Sequence, residues 1–342
     1  MSSSTSNQRI MDKLSHIAEA YRSQGIVHKY HAYRNAIDTV KAFGRPIDSA
    51  ASLKGLKGIG KAMLDKIDEI LKTGELHQEQ QVLADPETTA MKLFTTVHGV
   101  GPSLARKLVY DHKLRSLEDL ENCDGVHLPP AVRLGLKHYE HSQERIPFDE
   151  VEDHRVFILD VAKQIDRRLQ IEICGSHRRG AALSGDIDLL LTHRASRLDS
   201  GADYMYLKLV IAAMRDNGYV VDSLAEGNSK FMGYCCLPKI SKTVRRLDVR
   251  WFTYDCFFPA LLYFTGSDMF NVNLRVSALK IGLTINEYGV YRVKNYDVTR
   301  DSPTKKVVGA AAGIEKGEKI EILSEEEIFK LVGLEFVEPR NR

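Results

Sequence analysis

Long apolar runs are missing from this sequence of 342 residues. No stretch approaches the roughly 20 consecutive apolar residues that a membrane-spanning helix requires, so we expect no membrane partner. With 43% hydrophobic and 27% charged residues, the composition is that of an ordinary globular protein. The length allows about two to four domains.

Cysteine is also scarce. The five cysteines contain no Cys-x-x-Cys pair, which argues against a structural zinc site and against a disulfide framework. This usage indicates a reducing compartment. The polar N-terminus lacks the apolar core of a secretory signal.

An excess of one charge sign is absent as well, because the formal net charge is only +2. Basic residues are nevertheless concentrated in two segments. Residues 28–72 contain nine Lys/Arg and five Asp/Glu, and residues 225–252 contain six and two. Such patches on a nearly neutral chain are typical of proteins that grip a phosphate backbone, although solvated helix faces would give the same pattern.

Hydrophobic periodicity changes near Pro147. Before it, apolar residues recur at helical spacing, which predicts an all-helical N-terminal half. After it, the pattern predicts a helix over Val156–Leu169, then strands alternating with further helices, and hence an α+β C-terminal half. Strands are predicted at residues 171–174, 187–191, 219–223, 231–237 and 246–253.

The most informative segment is residues 175–188, Gly-Ser-His-Arg-Arg-Gly-Ala-Ala-Leu-Ser-Gly-Asp-Ile-Asp. Side chains alternate faces along a strand, so Asp186 and Asp188 should share one face while Ile187 points into the core. Neighbouring carboxylates suit Mg²⁺ bound jointly with substrate phosphates, and a Gly-Ser turn upstream can cradle phosphate. The pattern predicts a nucleotidyl-transfer site; the alternative is a polar loop before a buried strand.

A third carboxylate should come from a neighbouring strand, because two-metal transfer must also activate the attacking hydroxyl. Asp248 lies mid-strand between Leu247 and Val249, with Arg246 two residues away on the same face. An acid in such a position is either ion-paired or a metal ligand. The motif at residues 175–188 favours the ligand.

Residues 263–275 begin with two aromatic residues and a Gly turn. A helix is expected to start near Ser267 or Asp268, both good N-caps. Asp268, Asn271 and Arg275 would then lie on one helical face. This stripe could line a nucleotide pocket, but periodicity alone is equally typical of a solvated helix face.

One weak repeat occurs in the helical half. Residues 56–61 and 97–102 share the form apolar-x-Gly-apolar-Gly, each followed by a helix. The glycines permit a tight turn, and the free N–H groups of the next helix can bind phosphate without reading bases. Two copies indicate paired helix-hairpin-helix motifs.

Taken together, these motifs resemble those of the family X DNA polymerases, and in particular of the beta-like branch. The resemblance runs from about His28 to Pro339 and covers the metal motif, the third-aspartate strand, the aromatic segment and both hairpins. It implies an α+β protein with a helical lyase-like N-terminal domain, a nucleotidyltransferase palm with a mixed or antiparallel sheet, and a small α+β C-terminal subdomain. The implied boundaries are 1–84 for the lyase-like domain, 85–146 for a second hairpin subdomain, 147–253 for the palm and 254–342 for nucleotide selection.

The resemblance also implies roles in the polymerase site. Asp186 and Asp188 would hold two Mg²⁺ ions, for which Mn²⁺ can substitute, and Asp248 would bind the catalytic ion and favour deprotonation of the primer 3′-hydroxyl. Tyr263 and Phe264 would reject a ribose 2′-hydroxyl. Nucleotide contacts are implied at Arg145, Ser176, Arg179, Gly185, Tyr263, Phe264, Gly266, Asp268 and Asn271.

Further roles concern DNA and monovalent ions. The implied partners are gapped or nicked double-stranded DNA and dNTPs, and Na⁺ or K⁺ would bind backbone carbonyls at the hairpins. DNA contacts are implied at His28, Lys29, Tyr33, Gly58, Gly60, Gly99, Gly101, Lys230, Arg246 and Arg275. The monovalent-ion sites are implied at Lys54, Leu56, Ile59, Thr95, Val97 and Val100.

The N-terminal segment is similar to the family's 5′-deoxyribose phosphate lyase domain. Lys66 falls at the Schiff-base position, and its amine needs a lowered pKa to act as a nucleophile. Asn35, Ala62 and Gln78 stand where the beta-like enzymes carry lysines, although Lys61 can compensate in part. The alternative is therefore a domain that only grips the gap.

The sequence as a whole predicts a monomeric, template-directed polymerase of base excision repair with lyase activity. Two rival functions remain: a template-independent or RNA-directed nucleotidyltransferase, and a DNA-binding scaffold with an inactive metal site. We expect it in the nucleus, with a mitochondrion or kinetoplast-type organelle as the alternative.

Overall fold

The computed structural model describes residues 4–197, 204–294 and 315–342. The chain divides into two units, residues 1–139 and residues 140–342. Within the described ranges, no helix is both long enough and apolar enough to cross a membrane.

The first unit forms α-helices and no strand over the residues that the structure describes. One apolar core joins the first three helices around Leu14, Ile37 and Ile67, and a second core surrounds Phe94 and Leu108. The predicted all-helical N-terminal half is confirmed. The helices are α1 (Ser4–Ser23), α2 (Val27–Ala42), α3 (Lys61–Thr73), α4 (His77–Ala84), α5 (Pro86–Thr95), α6 (Pro102–Tyr110), α7 (Leu117–Glu121) and α8 (Pro130–Lys137).

Local chemistry explains where several of these helices begin and end. The Asp85 side chain accepts the Thr88 amide at 2.9 Å and caps α5, and Pro86 occupies its first turn, where a missing N–H costs nothing. Gly74 ends α3 in a left-handed conformation, which glycine adopts without steric cost. Glu79, buried on α4, accepts from Lys13 Nζ at 2.8 Å and ties α4 to α1.

The second unit is built on a five-stranded sheet and a smaller three-stranded sheet. Its strands are β1 (Ile146–Pro147), β2 (Leu169–Ile173), β3 (Leu183–Ser184), β4 (Ile187–His193), β5 (Val220–Glu226), β6 (Lys230–Cys235), β7 (Arg245–Trp251), β8 (Leu283–Asn286), β9 (Gly289–Val293) and β10 (Lys316–Ile320). Its helices are α9 (Tyr139–Gln143), α10 (Phe148–Ile165), α11 (Gly175–Arg178), α12 (Tyr204–Asp216), α13 (Phe257–Thr265), α14 (Asp268–Lys280) and α15 (Glu325–Val332).

The larger sheet has the strand order β2-β4-β7-β6-β5. Only the pairing of β4 with β7 is parallel, and the other pairings in this sheet are antiparallel. Apolar side chains of α10 and α12 cover the sheet and form the main core with residues such as Ile158, Val210 and Leu247. The smaller sheet, β10-β9-β8, packs with α14 and α15 around Leu274 and Phe329. The predicted α+β class with a mixed sheet is confirmed.

The helix predicted at Val156–Leu169 is wrong at both ends. The helix α10 starts directly after Pro147. Asp149 and Glu150 lie in its first turn, where their negative charges interact favourably with the positive end of the helix dipole. It ends at Ile165, and Leu169 already belongs to β2. Apolar periodicity detected the C-terminal part of the buried stripe of α10 but missed residues 148–155, although Val151 and His154 are buried there.

One glycine in the first unit allows a close backbone approach. A Cβ on Gly135, inside α8, would lie 2.5 Å from the carbonyl oxygen of His98. Gly→Ala in a helix usually stabilises by up to about 1 kcal/mol, but this overlap with backbone should make Gly135→Ala destabilising by about 1–3 kcal/mol. Urea denaturation measures the change.

The control is Gly227→Ala, where the added Cβ would meet an ordinary contact at 3.6 Å and the effect should stay within about 0.5 kcal/mol. Equal unfolding midpoints for the two variants would contradict the expected clash.

Candidate active site

Three carboxylates converge at one end of the parallel strand pair. Asp188 lies directly opposite Asp248 in the register of β4 and β7, and Asp186 precedes β4 by one residue. Ligand oxygens of the three residues all lie within 4.8 Å of one another, and among the described residues no other such acidic, His or Cys group occurs. Ile187 is fully buried, as the strand alternation requires.

Arg246 is the cation that the structure places against this cluster. Its Nη2 donates to Asp186 Oδ2 in a very short contact and lies 3.5 Å from Asp248 Oδ2. The sequence left Asp248 open between an ion pair and a metal ligand; its carboxylate does contact Arg246, and it also belongs to the three-carboxylate group. The guanidinium therefore offsets part of the negative charge that the three acids accumulate.

The carboxylate cluster changes the acidity of its central member. Burial, followed by the charges of Asp186 and Asp248, raises the pKa of Asp188 from 3.8 to about 7, although Arg246 and Arg250 oppose the shift. Like charges in a partly buried volume disfavour ionisation. A bound divalent cation would remove this penalty, because it supplies the missing positive charge.

The donor set and its surroundings fit a hard divalent cation. All three side chains offer carboxylate oxygens, the ligands that Mg²⁺ prefers. Gly175, with φ +57°, lets the backbone approach so closely that a Cβ there would lie 2.4 Å from Asp188 Oδ2. The residues present could therefore hold Mg²⁺.

The predicted phosphate contacts lie around α11, which follows β2. Ser176 Oγ donates to Ser184 Oγ at 3.0 Å, which ties the start of α11 to β3. Arg145 lies over Gly185, since a Cβ on that glycine would be 3.0 Å from Arg145 Nη1. Arg179 donates to the carbonyl of Thr265 at 2.5 Å, so this arginine reaches the C-terminus of α13.

The aromatic segment forms the adjoining surface. The rings of Tyr263 and Phe264, at the end of α13, are perpendicular with centroids 5.0 Å apart. Asn271 Nδ2 donates to the Tyr263 carbonyl at 2.8 Å, and the Arg275 guanidinium lies 5.0 Å from the Tyr263 ring centroid. The helix start predicted near Ser267 is found: Ser267 caps α14, with its hydroxyl facing the Phe270 amide.

The other predicted residues of this surface differ in exposure: Gly266 is buried, Lys230 is half-buried and Asp268 is exposed. Asp268 is the exposed first residue of α14, and Lys230 begins β6 opposite Arg250. Gly266 has φ +69°, and a Cβ there would lie 3.2 Å from Arg179 Nη1. Tyr263 and Phe264, which we call the aromatic wall, and Arg179 are therefore immediate neighbours.

In the first unit, the groups predicted to bind a 5′-phosphate occupy α2. Tyr33 is buried and donates to Gln78 Oε1 at 2.9 Å, and Gln78 in turn donates to Tyr21. Burial raises the pKa of the Tyr33 phenol. Lys29 lies 4.8 Å above the Tyr21 ring, and His28 neighbours it on α2. Gln78 thus joins two phenols at a position where the sequence indicated a missing lysine.

Lys66 lies on α3, as the helical pattern predicted. Its Nζ lies 3.4 Å from the Ala62 carbonyl one turn earlier, and Ala62 itself is exposed. The lysine is therefore positioned on the surface of α3, with its side chain following the helix backbone.

Both predicted hairpins are present. Gly58 has φ +82°, and a Cβ there would press against the backbone of Asn35. Gly99 has φ +88°, and a Cβ there would press against the backbone of Val132. Gly60 and Gly101 are the N-caps of α3 and α6, so the first amides of these helices receive no side-chain cap. The predicted ion-site residues all lie in or beside these two turns: Lys54, Leu56 and Ile59 in the first, and Thr95, Val97 and Val100 in the second.

The sequence reasoning missed Thr265 and Glu325. Thr265 accepts from Arg178 and Arg179, and Glu325 accepts from Arg178 although 147 residues separate them. No local pattern identifies Glu325, since a first-turn glutamate after a Ser cap is common in helices.

The raised pKa of Asp188 predicts a pH-dependent stability without metal. A carboxyl whose pKa is 3.8 when unfolded and about 7 when folded binds a proton more tightly in the folded chain, so stability falls as pH rises through this interval. Asp188→Asn should therefore gain up to ~4 kcal/mol over wild type between about pH 4 and about pH 8. Urea denaturation in EDTA measures this difference.

The matched control is Asp216→Asn, which removes an exposed carboxylate at the end of α12. A difference between Asp188→Asn and wild type that is constant across the pH range would contradict the account of the cluster.

Comparison with protein families assigns nearly the whole chain. Residues 5–76 match a helix-hairpin-helix domain, and residues 92–143 match the fingers domain of DNA polymerase lambda. Residues 145–254 match the DNA polymerase beta palm, and residues 260–342 match the DNA polymerase beta thumb. The palm match includes all three converging aspartates.

Individual relatives agree with these matches. DNA polymerase lambda of Rattus norvegicus is 32% identical over 98% of this chain and 56% of its own length. DNA polymerase lambda of Arabidopsis thaliana is 29% identical over 98% of this chain and 62% of its own length. The DNA-directed DNA/RNA polymerase mu of Homo sapiens is 24% identical over 98% of this chain and 69% of its length.

The chain thus spans less than two thirds of the two lambda polymerases it matches. The four successive family matches nevertheless follow the order of the fold, and they bear out the resemblance seen in the motifs. We conclude that the chain belongs to the family X DNA polymerases.

Proposed function

We propose that this chain is a template-directed DNA polymerase that fills short gaps during base excision repair. The observation that carries the proposal is the convergence of Asp186, Asp188 and Asp248 beside the turn at Gly175 and Ser176, which we call the phosphate turn because its sequence predicts phosphate binding. Family membership supports the reaction class, and the paired hairpins support a gapped or nicked DNA substrate together with dNTPs.

Bound Mg²⁺, as two ions for which Mn²⁺ can substitute, would neutralise the triphosphate and lower the pKa of the primer 3′-hydroxyl. Asp186 and Asp188 would hold both ions, and Asp248 would face the primer terminus and favour proton loss there. Arg246 now pairs with Asp186 and Asp248, so we infer that it turns toward the DNA when the carboxylates bind metal.

The phosphate turn would hold the triphosphate tail. Ser176 and Arg179 lie at either end of α11, and Arg145 lies over Gly185 on the facing side. Ser176 and Arg179 are held by hydrogen bonds to Ser184 and Thr265 before substrate arrives, so these two donors would need little reorganisation during the reaction. Positioning and charge are the main contributions that this chain would make.

The nucleotide would be selected along α13 and α14. Tyr263 and Phe264 form a perpendicular aromatic pair that would exclude a ribose 2′-hydroxyl. Asp268 and Asn271 would face the incoming nucleotide, and Arg275 would contact the template strand. Lys230 would lie toward the primer.

The hairpins would grip the DNA backbone without reading sequence. The uncapped first turns of α3 and α6 present amide groups, which bind phosphate. Na⁺ or K⁺ bound to carbonyls of the same turns would add positive charge beside the backbone. We also propose that the protein acts as a monomer in the nucleus, with a mitochondrion or kinetoplast-type organelle as the alternative.

A lyase reaction at Lys66 is the further part of the proposal. The amine would add to the sugar aldehyde left after base removal and lose water to form a Schiff base, and β-elimination would then break the C3′–O bond and release the DNA 5′ end. His28, Lys29 and Tyr33 would hold the 5′-phosphate. The alternative is a unit that only grips the 5′ end, and the Gln78 bridge between Tyr21 and Tyr33 favours it, because a neutral amide replaces a cation.

A second candidate function is transfer that does not discriminate against ribonucleotides. The human mu relative is named as a DNA-directed DNA/RNA polymerase. The aromatic wall argues for deoxyribonucleotide selection in this chain.

Single substitutions should inactivate the polymerase site and the lyase site independently. The substrate is DNA with a one-nucleotide gap that carries a 5′-deoxyribose phosphate. Asp248→Asn should reduce extension by on the order of a thousand-fold, because several kcal/mol of charge stabilisation are lost, and leave borohydride trapping intact. Lys66→Ala should abolish trapping and leave extension intact. Product gels before and after borohydride treatment measure both activities.

The controls are Asp216→Asn and Lys72→Ala, an exposed lysine on the same helix as Lys66. Full extension by Asp248→Asn would refute the polymerase site. Primer extension without borohydride trapping in wild type would show that the first unit binds DNA without lyase activity.

Sugar discrimination tests the aromatic wall. Tyr263→Ala and Phe264→Ala should each lower the ratio of dNTP to rNTP kcat/KM by about ten-fold or more, because a steric barrier is removed. Steady-state gap filling with matched dNTP and rNTP measures the ratio, with Tyr288→Ala, an exposed tyrosine, as the control. Equal use of both sugars by wild type would favour the second candidate function.

A further inference from the structure

Two sides of the proposed triphosphate site come from distant parts of the chain: Arg145 on one side and the phosphate turn on the other. A short antiparallel pair joins them. The strand β1 directly follows Arg145 and pairs with β3, with two residues in each strand. The Phe148 amide extends this ladder by donating to the Ala182 carbonyl at 3.1 Å. Because strands this short are rare in sheets, the spacing between the two sides needs further contacts.

The side chains of His177 and Phe148 supply such a contact. Their rings are stacked, with centroids 4.1 Å apart and an interplanar angle of 19°. His177 is only 7% exposed and directly follows Ser176 in α11, whereas Phe148 is 38% exposed and begins α10. The stack therefore joins the phosphate turn to the segment that carries Arg145.

Further contacts hold the His177 ring against α10. Glu152 Oε1 lies 3.3 Å from His177 Nε2, and Glu152 Oε2 accepts from Arg155 Nε at 2.7 Å. The ring also hydrogen-bonds to the backbone of Phe148. Burial lowers the pKa of His177, although the Glu152 charge opposes the shift, so the stacked ring is uncharged at neutral pH. Phe148 and Glu152 both belong to α10, and the ring thus ties α11 to the start of that helix.

We propose that Phe148 and His177 are positioning residues that set the distance between Arg145 and the phosphate turn, and hence the width of the site for the triphosphate tail. The inference rests on the proposed polymerase function. Aromatic pairs prefer defined ring arrangements, so the stack can fix an orientation that a short ladder leaves free. Core packing does not explain the pair, because Phe148 is exposed and lies outside the main apolar core.

The test compares His177→Ala and Phe148→Ala with Val156→Ala, which removes an exposed side chain from the same helix. The dNTP dissociation constant is measured on gapped DNA with a dideoxy-terminated primer, which binds but cannot react. KM and kcat are measured on an extendable primer. Both test variants should weaken dNTP binding and raise KM by on the order of ten-fold, because small displacements of binding groups are costly. The rise in KM should exceed any fall in kcat, and Val156→Ala should match wild type.

Two further measurements separate positioning from general destabilisation. His177→Phe keeps a ring for the stack and should bind dNTP within about two-fold of wild type. In a double-mutant cycle, the losses in dNTP binding from His177→Ala and Arg145→Ala should be less than additive, because both substitutions remove the same Arg145 contact. Melting temperatures are recorded for every variant.

Wild-type dNTP binding by His177→Ala, with or without a lower melting temperature, would overturn the proposal. Fully additive losses with Arg145→Ala, or an equal loss of binding in His177→Phe and His177→Ala, would overturn it as well. Failure of wild type to extend any primer would instead refute the polymerase function, while dNTP binding on the dideoxy-terminated primer would still decide the coupling.

Discussion

The structure of the second unit depends on holding three carboxylates in one small volume. The parallel pairing of β4 with β7 sets Asp188 opposite Asp248, and the turn before β4 adds Asp186. Burial and mutual repulsion then raise the pKa of Asp188 to about 7. A well-packed sheet retains this unfavourable cluster, which Arg246 and Arg250 offset only in part, and this is typical of a site kept for chemistry rather than for stability.

The surrounding elements follow from the same constraint. Gly175 permits the close backbone approach to Asp188, Arg145 lies over Gly185, and Arg179 donates to the Thr265 carbonyl. The Asp188 and Asp248 carboxylates stand on adjacent paired strands, so the sheet fixes their spacing before any substrate binds. The buried Arg178–Glu325 contact continues this arrangement into the C-terminal helices.

Much of this arrangement could be predicted from local sequence, because period and spacing are local properties. The alternation of Asp186, Ile187 and Asp188 gave the face of each side chain, and the Ser267 cap gave the start of α14. Long-range pairing could not be read in the same way. Nothing local shows that Glu325 meets Arg178 across 147 residues, or that Arg246 contacts Asp186. Residues 148–155 of α10 were missed although Val151 and His154 are buried there, because charged residues separate the few buried positions of this segment.

The most direct test of the central claim is to count bound Mn²⁺ by electron paramagnetic resonance in the presence of gapped DNA and a non-hydrolysable dNTP. Wild type should bind two ions per chain, and the Asp186→Asn, Asp188→Asn, Asp248→Asn triple variant should lose both at the same free Mn²⁺ concentration. Equal binding by the two proteins would show that these carboxylates are not the metal site, and it would contradict the account of the active site given above.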